Sequence, residues 1–417
     1  MEIMLGHYDK RRKHLMKKIL VVLLSVMLLG SMAACKKEEV AAQGVTDDKV
    51  LIANCAATSG AFAPVGVPFT EGIKAYLAYV NSKGGVDGRE IEFLHNDDEF
   101  DPVKGKACLD SFINDDKVFA IVGHFGTPVV GATLEDLKEA GIPAVYFATG
   151  IGQLYDDKAT AEEKNLNIFP VQPIYKTEGQ IMVARAVGNF GAKKIGVIST
   201  SDDAGKDLLA GAKIKAAELG VELVEVQVAA GATDVSAAVT TIKNANVDFV
   251  IGAAIQATIP TIIKELAAQD VNKDVITTYV NVSPAIANLF KDQIAGKFDV
   301  YGNGWVAFDA AHQAAIAEYA QNIDAAYAAN AYAMTGWIAA YFFVEGLKRV
   351  EGTVTWEKYI EAMESDPITN PFGGVIDYAD GARMGTQEMN LSKVDPTAPT
   401  MWVEVEPLAN MDEILNK

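Results

Sequence analysis

The sequence predicts an α/β protein: two similar doubly wound parallel-sheet lobes with a ligand cleft between them. Three observations predict it. Strand-like and helix-like runs alternate along the chain, as βαβ units do. The alternation restarts after Phe169-Pro170-Val171-Gln172-Pro173. The body behind the N-terminal segment, about 370 residues, is too long for one core.

The chain opens on a basic segment, Lys10-Arg11-Arg12-Lys13 and Lys17-Lys18. Ile19 to Leu29 then runs without a charge. That stretch falls short of the roughly 20 residues a membrane span needs. Basic flank, short apolar core and small residues read as a secretory signal over residues 1–34. Met32-Ala33-Ala34-Cys35 places small residues directly before a Cys, which resembles the bacterial lipoprotein signal. Cys35 is therefore expected to carry the lipid, and two acyl chains anchor stably where one is marginal. The plainer alternative is ordinary cleavage with Cys35 a free thiol. Residues 35–46 are polar and without pattern, and read as a tether.

The first βα run follows. Val50 to Cys55 is a strand and Phe69 to Asn81 a helix, stopped by Gly84-Gly85. Strands at 91–95, 120–123 and 143–147 alternate with helices at 103–114 and 128–140. In the second run, strands at 194–198, 221–228 and 249–251 alternate with helices at 205–219, 235–244 and 259–268. The last third carries an apolar helix at 329–347, another at 356–363, and short β segments near 374–378 and 402–405. It reads as completing both lobes. Lobe 1 is expected from 47–172 and 303–373, and lobe 2 from 173–302 and 374–417. Crossings are expected near 171–173, 301–304 and 373–376.

Without residues 1–34 the chain keeps 30 Lys/Arg against 53 Asp/Glu, a net charge of −23. That acidity argues against nucleic acid and against a polybasic membrane surface. Cys35, Cys55 and Cys108 form no CxxC pair. Cys55 and Cys108 read as buried small hydrophobes. A bridge between them is the less favoured reading, because sequence does not show their Cβ atoms facing.

Ligands of open parallel sheets bind beyond the carboxyl ends of the strands. The sharpest such loop is Val122-Gly123-His124-Phe125-Gly126-Thr127-Pro128, with Thr127 expected as N-cap and Pro128 as N1. Helix N–H groups there favour an anion by on the order of 1 kcal/mol. The loop Ala148-Thr149-Gly150 offers a hydroxyl and close backbone approach. Ser59 and Phe62 lie on the first loop, Asp203 on the first loop of the second run, and Gln256 and Asn281 on later ones. Trp305 stands close to the second crossing. The Thr127 loop is equally readable as a cap with no ligand, and the Ala148-Thr149-Gly150 loop has an ordinary turn as its alternative. The helix at 329–347 reads as core, with one aromatic such as Tyr332 able to reach the cleft.

The acidic run His95 to Asp101 lacks the Gly of a calcium loop and reads as solvated. The mature chain has His95, His124 and His312, with no zinc spacing. No nucleophile elbow, P-loop or dinucleotide loop appears. No cofactor and no catalysis are expected.

Asn81-Ser82-Lys83-Gly84-Gly85-Val86-Asp87-Gly88-Arg89, then Asn96 to Pro102, then Val122-Gly123-His124 resemble the type I periplasmic binding proteins of the Leu/Ile/Val transport family. The resemblance spans roughly residues 47–417. It implies the periplasmic binding protein type I fold, and capture outside the cytoplasm of a branched-chain or related amino acid, or a similar small carboxylate. Delivery to an ABC permease and its ATPase, by a monomer, is implied as well. It further implies that Thr127 holds a ligand carboxylate and that Ala148, Thr149 and Gly150 assist. Amino-acid binders of the family commonly carry an acid near the position where Asn281 or Val282 stands, and an aromatic where Ala204 stands. Their hydroxyl on the third loop residue falls at Gly150. These departures weigh against a simple leucine binder, and the wording of Gly126-Thr127-Pro128 and Ala148-Thr149-Gly150 resembles a branch whose ligands include other small organic acids and amides. A ligand-sensing receptor component of the same fold, taking a small amide, urea-like or aromatic acid ligand, is the alternative.

Overall fold

The computed structural model describes residues 39–307 and 309–416. The signal segment and Cys35 lie outside the described residues. The elements, in order, are β1 (Lys49–Ala56), α1 (Ala63–Ser82), β2 (Glu90–Asp97), α2 (Pro102–Asn114), β3 (Ala120–Phe125), α3 (Thr127–Ala140), β4 (Ala144–Ala148) and β5 (Ile168–Phe169). Next come α4 (Tyr175–Gly188), β6 (Lys194–Thr200), α5 (Asp203–Leu219), β7 (Glu222–Val228), α6 (Ser236–Ala245), β8 (Phe249–Ala253), α7 (Ile259–Ala268), β9 (Val275–Thr277) and β10 (Val300–Gly304). Then follow α8 (Gln313–Gln321), α9 (Ala331–Lys348), α10 (Trp356–Ser365), β11 (Ile368–Thr369), β12 (Val375–Ile376), β13 (Glu388–Val394) and β14 (Trp402–Asn410), with a short helix at Met411–Leu415 after it.

Two sheets form two lobes. Lobe 1 is a five-stranded sheet in the order β2-β1-β3-β4-β5, parallel throughout. Its central strand β3 is buried along its whole length, as expected of a strand covered on both faces. Lobe 2 is a seven-stranded sheet in the order β14-β13-β10-β9-β8-β6-β7. Its core is parallel, but β13 runs antiparallel to both β10 and β14. The parallel sheet of this lobe thus carries one antiparallel edge. A hairpin-like β13–β14 pair closes that edge without another helical crossover.

Local chemistry explains the helix starts. Asp101 accepts from the N–H groups of Val103 and Lys104 and caps α2. Asp202 accepts from Gly205 N–H at the head of α5. Asn330 accepts from Tyr332 and Ala333 at the head of α9. Gly141 and Gly220 end α3 and α5 in the left-handed conformation.

The chain passes between the sheets around residues 170–174, 305–307 and 385–387. The third passage is not at 373–376, as expected from sequence. Residues 377–385 stay against lobe 1: Tyr378 Oη donates to Pro170 O at 2.7 Å, and Arg383 donates through Nη2 to Leu166 O at 2.6 Å. Thr386 N–H then donates to Val171 O at 2.9 Å, beside the first passage, before β13 begins.

Cys55 and Cys108 are joined in a disulfide, with Cα atoms 6.3 Å apart. This corrects the reading of two free buried thiols. Strand β1 and helix α2 pack face to face and bring the two Cβ atoms within bridging range.

Candidate functional site

Both sheets point the carboxyl ends of their parallel strands at one cleft. Lobe 1 supplies Phe62, Val65, Phe100, Phe125, Thr127 and Ala148, among others, with Tyr332 and Thr335 from α9. Lobe 2 supplies Ile255, Gln256, Tyr279, Val282, Asn390 and Ser392. Gln172, Tyr175, Gly304, Trp305 and Val306, at the passages between lobes, form the back.

One end of the cleft is polar and lies at the head of α3. Gly126, at φ +92°, is the N-cap, so Thr127 is the first helical residue rather than the cap expected from sequence. Freed from capping, the Thr127 hydroxyl pairs with the Thr149 hydroxyl at 2.8 Å. Thr149 is fully buried and does not line the cleft; its oxygen also accepts from Ile151 N–H at 3.2 Å. It holds Thr127 from behind. The Tyr175 hydroxyl faces both threonines, and burial pushes that phenol up to about 12. A protonated phenol, a threonine hydroxyl and a helix N-terminus therefore converge on one spot, and all can donate to an anion.

Gly150 takes no part in lining. A Cβ there would stand 2.4 Å from Pro173 O and 2.8 Å from Tyr279 Oη, so the position admits no side chain. Its carbonyl accepts from Tyr175 N–H at 2.9 Å. Gly150 is the spacer that lets the first passage pack against the β4 loop, and a family-type hydroxyl has no room there.

The middle of the cleft is aromatic. Phe62 and Phe100 stack with centroids 3.7 Å apart, and Phe100 meets Phe125 edge-on. Trp305 and Val282 belong to the same lining. Tyr332 reaches across and donates to Val280 O at 3.1 Å. Gln256 donates through Nε2 to the same carbonyl at 3.0 Å.

Of the residues expected at the site, Phe62, Thr127, Ala148, Gln256 and Trp305 line the cleft. Ser59, Thr149, Gly150, Asp203 and Asn281 do not. Ser59 is tied through its N–H to Asp97 at 3.3 Å. Asp203 pairs with Lys206 one turn along α5. Asn281 is fully buried and donates to Ala254 O and Thr277 Oγ1, so Val282 takes the wall position instead. Phe100, Phe125, Tyr175, Tyr279 and Asn390 were not anticipated as lining residues. Tyr175 and Tyr279 belong to segments whose strand or helix character is faint in the sequence. Phe125 lay inside a loop already singled out.

The acidic run 95–101 organises its own loop. Asp97 accepts from the N–H groups of Thr58, Ser59 and Glu99. His124 is buried, pairs with Thr133 Oγ1 at 2.8 Å, and is pushed down to about 4 by burial. It stays neutral beneath α3.

The sequence model of the family described as "Periplasmic binding protein" matches residues 49–399. A relative from Brucella abortus (strain 2308), named "Leu/Ile/Val-binding protein homolog 2", is 25% identical over 265 residues, covering 63% of this chain and 69% of that one. Among solved structures, the fatty acid ABC transporter substrate-binding protein from Thermomonospora curvata superposes with a TM-score of 0.76 at 20% identity, covering 90% of this chain and 96% of that one. A branched chain amino acid ABC transporter structure from Thermus thermophilus with bound valine gives 0.76 at 16% identity, covering 89% of this chain and all of that one.

Proposed function

The chain belongs to the periplasmic binding protein family, and on that premise we propose that it captures a small carboxylate-bearing molecule between its lobes and delivers it to an ABC importer. The observation that carries the reading is the donor cluster at the head of α3: Thr127, backed by Thr149 and faced by Tyr175. It lies at the carboxyl ends of the lobe 1 strands, where open α/β sheets bind ligands. Solved proteins of the same fold are described as binding components for fatty acid and branched-chain amino acid ABC transporters, which supports the delivery step. The ligand enters while the lobes are apart and is enclosed by hinge motion at the three passages. Enclosure excludes water and strengthens each polar contact to the carboxylate. The protein works outside the cytoplasm, held at the membrane through Cys35. On this reading Thr127, Thr149 and Tyr175 position a ligand, and the cleft binds and releases it without chemistry.

A thermal-shift screen of the protein against amino acids, aliphatic acids, aromatic acids and amides tests the reading. A ligand at a hundredfold excess over its dissociation constant stabilises by about 2.7 kcal/mol. Carboxylates should shift the midpoint and their amides should not. Amides that shift as strongly as the acids would overturn the carboxylate assignment.

A further inference from the structure

The chemistry of the rest of the cleft narrows the ligand. None of the described residues lining it carries a formal charge. An ammonium group enclosed there would need an anion or several acceptors to replace its water. Carboxylates stand near the walls, but none of them lines the cleft. Asp98 is buried and accepts from Phe100 N–H at 2.8 Å through Oδ1, while its Oδ2 is buried without a partner; it is outside the cleft lining. Glu178 is buried behind Tyr279 and accepts from Thr278 Oγ1, from Tyr279 N–H at 2.8 Å and from Asn303 Nδ2 at 3.0 Å. Asp207 is bound to Gly152 N–H at 2.8 Å.

The lobe 2 wall offers something different. Asn390 Nδ2 donates to Val306 O at 2.9 Å and to Glu404 Oε2 at 3.3 Å. Both amide hydrogens are thereby used, which fixes the orientation of the amide. Its Oδ1 is buried and has no partner. That oxygen lies over Gly304, another cleft residue, and a Cβ at Gly304 would stand 2.2 Å from it. Ser392, two residues along β13 and so on the same face, also lines the cleft. A buried acceptor without a donor costs stability unless a donor arrives.

We infer that the ligand is a monocarboxylate without an α-ammonium group, with an apolar, ring-sized body and a neutral hydrogen-bond donor at its far end. The inference rests on the carboxylate reading proposed above. The carboxylate meets Thr127; the body fills the space bounded by Phe62, Phe100, Trp305 and Val282; the distal donor meets Asn390 Oδ1 after a small side-chain adjustment.

Calorimetric titration of the whole protein with five probes tests this: 3-(4-hydroxyphenyl)propionate, 3-phenylpropionate, tyrosine, phenylalanine and leucine. The two desamino acids should bind, and the hydroxylated one about tenfold more tightly. Their α-amino counterparts and leucine should bind about a hundredfold more weakly, or without measurable heat. Any of the three amino acids binding as tightly as the desamino acids would overturn the inference and leave the capture role standing. If Asp98→Asn then abolished that amino-acid binding, the ammonium would be assigned to Asp98. Equal affinity for the plain and hydroxylated acids would overturn the distal donor, with no variant required. Absence of heat from all five probes, with a shift from some other acid in the thermal screen, would overturn the ring-sized body alone. Silence from every acid would remove the carboxylate reading as well.

Discussion

Asp207 Oδ2 accepts a hydrogen bond from the backbone N–H of Gly152 at 2.8 Å. Asp207 sits on α5 of lobe 2, and Gly152 on the loop that follows β4 of lobe 1. This bond therefore spans the two lobes. The Tyr332 hydroxyl makes a second link, to Val280 O at 3.1 Å. Both connect parts that must separate when a ligand enters.

Asp207→Ala should shift the protein toward an open form. A hydrogen bond to a charged, partly exposed acceptor is worth about 1 kcal/mol. Ligand affinity should therefore fall roughly fivefold, mostly through faster release. Stopped-flow release rates check this. Small-angle scattering should show a larger radius of gyration for the unliganded variant.

Thr127→Ala removes a donor to the carboxylate and should weaken any acid ligand about tenfold. Thr149→Val leaves Thr127 in place but deletes its support, so a smaller loss is expected. Tyr175→Phe should fall between the two. Equilibrium binding of the three variants to one ligand gives the ranking.

Asp98 is pushed up to about 7 because burial disfavours its charged form. A carboxyl raised in the folded state binds protons more tightly there than in the unfolded chain. Its penalty on stability is absent below pH about 4, grows between 4 and 7, and is complete above 7. Asp98→Asn keeps the acceptor for Phe100 N–H and removes the charge. Unfolding free energy at pH 8 should rise by on the order of 2 kcal/mol, while the two proteins converge near pH 4. Denaturant titrations at the two pH values check it.

The Cys55–Cys108 disulfide closes 53 residues of chain. Replacing both cysteines with Ala should cost up to about 4 kcal/mol, chiefly by releasing the unfolded chain. Ellman titration of the denatured, unreduced mature chain should find no thiol from either position.

The βα alternation was legible because each parallel strand is short, apolar and bounded by turn residues, and most of the helices and strands sit within two residues of their expected bounds. The stretch that became α4 was not legible. It buries Glu178 and Arg185 together with Ile181, Met182 and Val183, so its sequence lacks one apolar stripe. The β13 strand was missed because Asn390 and Ser392 interrupt its apolar pattern, and both face the cleft rather than solvent. Of the site, the Thr127 loop could be found by rule from the end of β3. Which of Asn281 and Val282 faces the ligand could not be. A one-turn helix over Tyr279–Asn281 decides it by rotating Asn281 under the wall. The aromatic wall could not be assembled either, because Phe62, Phe100 and Trp305 come from three distant loops.

A crystal structure of the protein with 3-(4-hydroxyphenyl)propionate tests the central claim most directly. The ligand carboxylate should lie within hydrogen-bond distance of Thr127 Oγ1 and Tyr175 Oη, with the ring against Phe100 and the phenol toward Asn390. A carboxylate directed at lobe 2, or a ligand bound outside the cleft, would contradict capture at the head of α3.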